Sequence, residues 1–402
     1  MRTKFLISSD NTTRNGYLKK QIIHYYMMYG DATIADICKE MNLSIPTITK
    51  LIVELLEDGY ILELGKQETS GGRKPSIYGL NPSSGYFMGV DVLKDHLKLV
   101  IIDFKGNVIR LNDNQPYTLE DSMEAVDRMC DEINKFISNS PISKDQLLSI
   151  GVNISGRVNP FMGCSYSVFN LKDKPLCKVL EEKLEKKVFL DNDSRAMAYG
   201  EYIQGVVKEE KNILFVNICW GLGISIIIDG KVYYGKSGLS GEFGHFSLFD
   251  NEILCHCGKK GCLETEASGS ALCRILVERY KQGSSTILAD KIDSQDEISL
   301  EDLITAIRKG DVLTIDTLEN IGINIGKGIA GLINIFNPDL VILGGPLSQI
   351  GDYLIFPVKS AIQKYSLNLV SQDTKVEVSQ LQEKAGVLGA ALLSRSKTVG
   401  IL

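Results

Sequence analysis

The sequence predicts an α/β protein, with a small helical module closed by a β-hairpin in front of a large mixed domain built from two halves. Three observations carry this. Apolar residues recur at helical spacing three times before Gly59, and two short strands come next. The turn-rich stretch Asn81-Pro82-Ser83-Ser84-Gly85 then interrupts the pattern. Beyond it, each half opens with antiparallel strands and goes on to alternate strands with helices.

In the first module, residues 1–82, a helix from about Arg14 to Tyr29 places Leu18, Ile22, Tyr25, Tyr26 and Tyr29 on one face. A second, from about Thr33 to Met41, carries Ile34, Ile37, Cys38 and Met41. Asn42-Leu43 makes a turn and Ser44 is the expected N-cap of a third helix, about Ile45 to Asp58, with Pro46 tolerated in its first turn. Ile48, Leu51, Ile52, Leu55 and Leu56 face inward, leaving Ser44, Thr47, Thr49 and Lys50 outward. The strands Tyr60–Gly65 and Ile77–Leu80 flank a tip containing Arg73 and Lys74. Three helices and a basic-tipped hairpin describe a winged helix-turn-helix. The outward residues of the third helix would meet base edges, and Arg73 and Lys74 would contact phosphates or a minor groove of operator DNA.

Charge supports this only locally. The net charge is −6; residues 1–82 hold ten Lys/Arg against nine Asp/Glu, or +1, leaving −7 for the remainder. There is no run of eighteen apolar residues and no secretory signal, so no membrane association is expected. Nine cysteines without an even framework fit a reducing, cytoplasmic setting.

The large domain, residues 83–402, is expected to form one lobe at about 86–190 plus the C-terminal helix and another at about 191–385. The first opens with a meander, Tyr86–Leu93, Leu97–Asp103 and Val108–Leu111, then a helix at about Leu119–Ser138. A strand Leu148–Ile154, a helix Pro175–Lys186 and a strand Lys187–Leu190 complete it, and a helix from about Ser194 to Gly205 follows. The second opens with Asn212–Cys219 and a strand pair around Asp229-Gly230. Helices near 269–282, 299–309 and 311–336, a strand Asp339–Leu343 and a final helix-strand-helix follow. Such a pair of halves suggests the actin-like ATPase fold of sugar kinases.

The densest chemistry lies in Gly241-Glu242-Phe-Gly-His245 and Cys255-His256-Cys257-Gly258-Lys-Lys-Gly261-Cys262-Leu-Glu264. Structural zinc takes four nitrogen or thiolate ligands in a tetrahedron. Cys255, Cys257 and Cys262 supply three from one loop that Gly258 and Gly261 allow to turn sharply. His245 is the natural fourth ligand, with His256 its rival.

Together with Asn192-Asp193, these motifs resemble the signature of the ROK family of bacterial sugar kinases, open reading frames and repressors. With the winged helix in front, nearly the whole chain is similar to the repressor branch, the xylose- and N-acetylglucosamine-type regulators. The resemblance implies that Asn192, Asp193, Glu242, His245 and Glu264 hold a sugar, and that Asp193 occupies the place of the kinases' general base. It also implies that His245 ligates structural zinc through one ring nitrogen and faces sugar with the other.

The nucleotide side departs from the kinase pattern. Where the family's kinases have Asp-x-Gly-Gly-Thr, this chain has Asp91-Val92-Leu93-Lys94-Asp95-His96. Leu93 and Lys94 bring side chains where backbone amides should approach phosphate, and Asp95 adds a repelling charge. The second phosphate loop, Asn217–Gly223, carries the bulky Trp220, while Gly344-Gly345 is kept. The expectation is a non-enzymatic transcriptional repressor, a homodimer or homotetramer responding to a sugar or sugar phosphate, with Asp193 a vestigial base. A weak sugar kinase is the alternative.

Overall fold

The computed structural model describes residues 13–67, 74–171 and 174–401, so Arg73 lies outside the described residues. The chain divides into two compact units, Met1–Ala196 with Val387–Leu402, and Met197–Gly386. Among the described residues no helix is long and apolar enough to cross a membrane.

The first unit begins with α1 (Arg14–Tyr29), capped by Thr13, whose hydroxyl accepts from Gly16 N–H at 3.1 Å. A short β1 (Ala32–Thr33) leads into α2 (Ile34–Met41), and the left-handed Asn42 turns the chain into α3 (Ile45–Glu57). Strands β2 (Ile61–Lys66) and β3 (Ser76–Leu80) join β1 in a sheet of order β1-β3-β2. Ile22, Tyr26, Ile37, Ile48, Leu51, Ile52 and Leu55 are buried in this module, as amphipathic spacing requires. Tyr29 is a correction to the expected apolar face. It is 65% exposed because the last turn of α1 runs past the core, and its ring packs on Tyr25 at 5.0 Å. Thr33 opens α2 as its N-cap, exchanging cap hydrogen bonds with Asp36, and at the same time pairs with Ile77 in the sheet.

The boundary stretch is firmly held. Asn81 Nδ2 and Ser84 Oγ each donate to the Gly59 carbonyl at 2.8 Å. Below it, the Tyr60 ring lies 5.7 Å from Phe104, which lies 5.9 Å from Phe87.

The first large sheet follows: β4 (Tyr86–Val92), β5 (His96–Asp103), β6 (Val108–Pro116), then α4 (Met123–Ser138) and β7 (Leu147–Ile154). A small hairpin, β8 (Val158–Asn159) and β9 (Cys164–Ser165), precedes α5 (Leu176–Leu184), β10 (Lys187–Asn192) and α6 (Asp193–Gln204). The sheet order is β10-β7-β4-β5-β6, an antiparallel meander extended by two strands parallel to β4.

The second unit repeats this plan. Its meander is β11 (Ile213–Ile218), β12 (Leu222–Ile228) and β13 (Lys231–Val232), turned by Asp229-Gly230 at positive φ. Helices α7 (Gly269–Lys281), α8 (Ala289–Asp293), α9 (Leu300–Arg308) and α10 (Val312–Phe336) precede β14 (Leu340–Gly344). Then come α11 (Asp352–Tyr365), α12 (Asn368–Ser371), β15 (Lys375–Val378) and α13 (Ala385–Val399), which returns to the first unit. The order β13-β12-β11-β14-β15 matches the first sheet strand for strand. Two copies of one meander-plus-parallel plan are the halves of the actin-like fold that the sequence suggested.

Candidate metal centre and ligand site

His245, Cys255, Cys257 and Cys262 converge, with one ligand atom from each lying within 4.8 Å of every other. Gly258 and Gly261 take φ of 84° and 74°, so the loop turns where only glycine is comfortable. Cys257 and Cys262 sulfurs are 3.7 Å apart, and Cys255 Sγ is 3.6 Å from His245 Nδ1. A tetrahedron with Zn–S of about 2.3 Å and Zn–N of about 2.0 Å has edges of about 3.8 Å and 3.5 Å, so the donor set fits zinc. Burial pushes the Cys255 thiol well up, and a cation would reverse that preference. His256 does not join the three cysteines; it groups with His245 and Glu264, its Nδ1 3.0 Å from Glu264 Oε1.

His245 turns its other face away from the thiols, with Nε2 3.7 Å from Glu242 Oε2. Glu264 is 8% exposed, and its Oε2 accepts the Leu222 N–H at 3.0 Å. The loop before Leu222 passes so close that a Cβ on Gly221 would stand 2.7 Å from that oxygen. Metal loop, Glu264 and the β11–β12 turn thus form one connected wall within the second unit.

The first unit holds Asn192 and Asp193 at the carboxyl end of its parallel strands. Asn192 Oδ1 caps α6, accepting from Ser194 and Arg195 N–H at 3.0 and 3.2 Å, while its Nδ2 donates to Gly156 O at 2.9 Å. Asp193 Oδ2 accepts from Ser155 Oγ at 2.7 Å. Ser155 was not singled out from the sequence, because its partner lies 38 residues away. Burial raises the Asp193 carboxyl, against hydrogen bonds from Ser155 and Ser194. Beneath Asp193, Asp191 is clamped by Arg195 Nε at 2.6 Å and Lys397 Nζ at 2.9 Å and held down to about 2 despite full burial, the cations outweighing desolvation.

The segment that stands where the kinases' first phosphate loop reads Asp-x-Gly-Gly-Thr is bound within itself and to the strand-end segment at 117–119. Leu93 N–H donates to the His96 carbonyl at 3.1 Å, and the carbonyls of Lys94 and Asp95 accept from Leu119 and Tyr117. Residues 93–96 are a tight hairpin between β4 and β5, with Asp95 Oδ1 2.8 Å from His96 Nδ1. In the other unit, Gly345 takes φ 82° and its missing Cβ leaves room for Asn217, so the fold needs glycine there with or without a nucleotide.

On the winged module Ser44, Thr47, Thr49, Lys50 and Lys74 are all exposed. Ser44 stands at the N-cap of α3 without capping it; its hydroxyl lies 2.9 Å from that of Thr47. Lys66 joins Lys74 around a groove that also reaches Ile34, Ile45 and Tyr78. It was missed in the sequence because a lone lysine at a strand end carries no pattern.

The ROK family pattern matches residues 87–397. A xylose repressor of Caldicellulosiruptor bescii is 30% identical over 358 residues, covering 88% of this chain and 89% of that protein. The crystal structure of a ROK family transcriptional regulator, a homologue of the Escherichia coli MLC protein, superposes with a TM-score of 0.80 at 28% identity, covering 95% of this chain and 97% of that one. A ROK family glucokinase from Streptomyces griseus, in complex with glucose and AMPPNP, gives 0.68 at 26% identity, over 78% of this chain and 100% of that one. The kinase match leaves out a share of the chain about as large as the winged module, and the regulator match includes it. The chain belongs to the ROK family.

Proposed function

We propose that this protein is a sugar-responsive transcriptional repressor, binding operator DNA as a homodimer through paired winged helices. The observation that supports the reading is the hairpin at 93–96: the Leu93 amide is used inside the turn, Leu119 and Tyr117 take the Lys94 and Asp95 carbonyls, and side chains replace the glycines that a phosphate cradle requires. The sugar-side residues, by contrast, keep the chemistry that a polyol needs. Asn192 and Asp193 in one unit, and Glu242, His245 and Glu264 in the other, offer the acceptors and donors that discriminate hydroxyls. Zinc, held by His245, Cys255, Cys257 and Cys262, supplies a structural cross-link that fixes the Glu264 loop and the His245 ring. Ser44, Thr47, Thr49, Lys50, Lys66, Arg73 and Lys74 are the proposed DNA contacts, the threonines and serine toward bases and the cations toward phosphates. Sugar releases DNA by the difference in its affinity for the bound and released conformations. The relatives named as repressors support this reading.

A kinase is the second reading, favoured by the Ser155-bound Asp193 and by the similarity to a glucokinase of Halalkalibacterium halodurans, 29% identical over 318 residues. Two measurements separate them. A duplex selected by the protein from a random pool is titrated in a gel shift with neutral sugars and sugar phosphates, and at least one should weaken binding about tenfold or more. A coupled ATP-consumption assay over the same panel should show no turnover; sugar-dependent turnover without any effect on DNA would overturn the repressor reading.

A further inference from the structure

Beside the metal loop the second unit contains a cavity of about 440 Å³, bounded by Trp220, Gly221, Leu254, Glu264, Thr265 and Arg274. Trp220 is the chain's single tryptophan and is 45% exposed at the tip of the β11–β12 turn. Its backbone is fixed by Ser270 N–H, which donates to the Trp220 carbonyl at 2.9 Å, and by Gly269 N–H on the Cys219 carbonyl at 2.9 Å. The indole N–H meets no protein acceptor among the described residues. A rigid aromatic face with a spare donor thus adjoins a buried carboxylate that is held from behind by Leu222 N–H.

Resting on the sugar-responsive reading, we propose that Trp220 is the stacking platform of the effector site and that the site selects a neutral sugar over its phosphate ester. An indole packs against the C–H face of a sugar ring, which is apolar, while the ring's hydroxyls reach Glu264 and the indole N–H. The charge around the cavity decides the second part. Arg274 is the cation on its wall, and it is already engaged: with Glu278 at 3.0 Å, Glu266 at 3.5 Å and the Thr265 carbonyl at 2.9 Å. Glu264, Glu266 and Glu278 outnumber it, and three thiolates around a divalent cation add one more negative charge. A phosphate dianion brought here would lose its water and gain no free cation in return.

The test uses the zinc-loaded full-length protein. D-xylose, D-glucose and N-acetyl-D-glucosamine, their phosphate esters, and ATP are titrated by calorimetry and, in parallel, by the emission of Trp220. A neutral sugar should bind and shift the emission to shorter wavelength as the indole loses water. Its phosphate ester should bind about tenfold or more weakly. Trp220→Ala should weaken the neutral sugar about tenfold or more, and Trp220→Phe only about threefold or less, with zinc content and melting unchanged in both. Equal affinity in Trp220→Ala, tighter binding of the phosphate ester, or Trp220-dependent binding of ATP would each overturn the assignment while leaving a sugar-responsive repressor intact. If no sugar binds and none changes the affinity for DNA, the sugar-responsive reading falls with it.

Discussion

Asp91 and Asp193 are two carboxylates close enough to feel each other at the carboxyl end of the first sheet. Asp91 is 2% exposed; burial first, then the charge of Asp193, pushes its carboxyl up to about 7, with Lys98 on the neighbouring strand pulling the other way. The folded protein therefore holds a proton that the unfolded chain releases near its ordinary value of 3.8. Stability from this group is complete below that value and is lost as pH rises through about 7. We expect wild-type stability to fall by on the order of 2–4 kcal/mol between pH 4 and pH 8 on this account. Asp91→Asn should lack that component in urea denaturation followed across pH; an unchanged slope would place the titration elsewhere. Asp193 could be found in the sequence because its motif is short and its neighbours are adjacent. Ser155 and the Lys397 arm of the clamp on Asp191 could not, since those partners are assembled by strand register and a returning helix.

At the scale of elements, the loop from His245 to Glu264 was the most readable part of the chain. Cysteine spacing and glycine positions are local, and metal geometry leaves few alternatives, so His245 rather than His256 completes the cysteine set. Its far contact was hidden: Leu222 N–H on Glu264 joins residues 42 apart. Cys257→Ser should lose bound zinc, measured by metal analysis after gel filtration, and weaken sugar about tenfold or more. Full sugar affinity without metal would refute a shared wall. Chelation of the wild type should lower the melting temperature reversibly, with zinc restoring it.

Over the whole molecule, the winged module and the first sheet are one packed body rather than two linked ones. Composition located the boundary at Asn81–Gly85 but could not reveal that its side chains knit the two parts together. Arg395 of α13 is almost wholly buried and donates to the Lys105 carbonyl at 2.9 Å, and Lys105 in turn pairs with Asp31 at 3.0 Å. Arg395→Ala should cost about 2–4 kcal/mol by stranding buried carbonyls. It should also raise hydrogen exchange across α1 and β1. Unchanged exchange there would mean that α13 does not brace the winged module.

The position of α13 also fixes an order of assembly. The winged module is made before α13, which carries Arg395 and follows the entire second unit. A nascent or truncated chain that ends before α13 lacks the Arg395 contact with Lys105. The finished chain, and not its fragment, is then the species in which the winged module is braced.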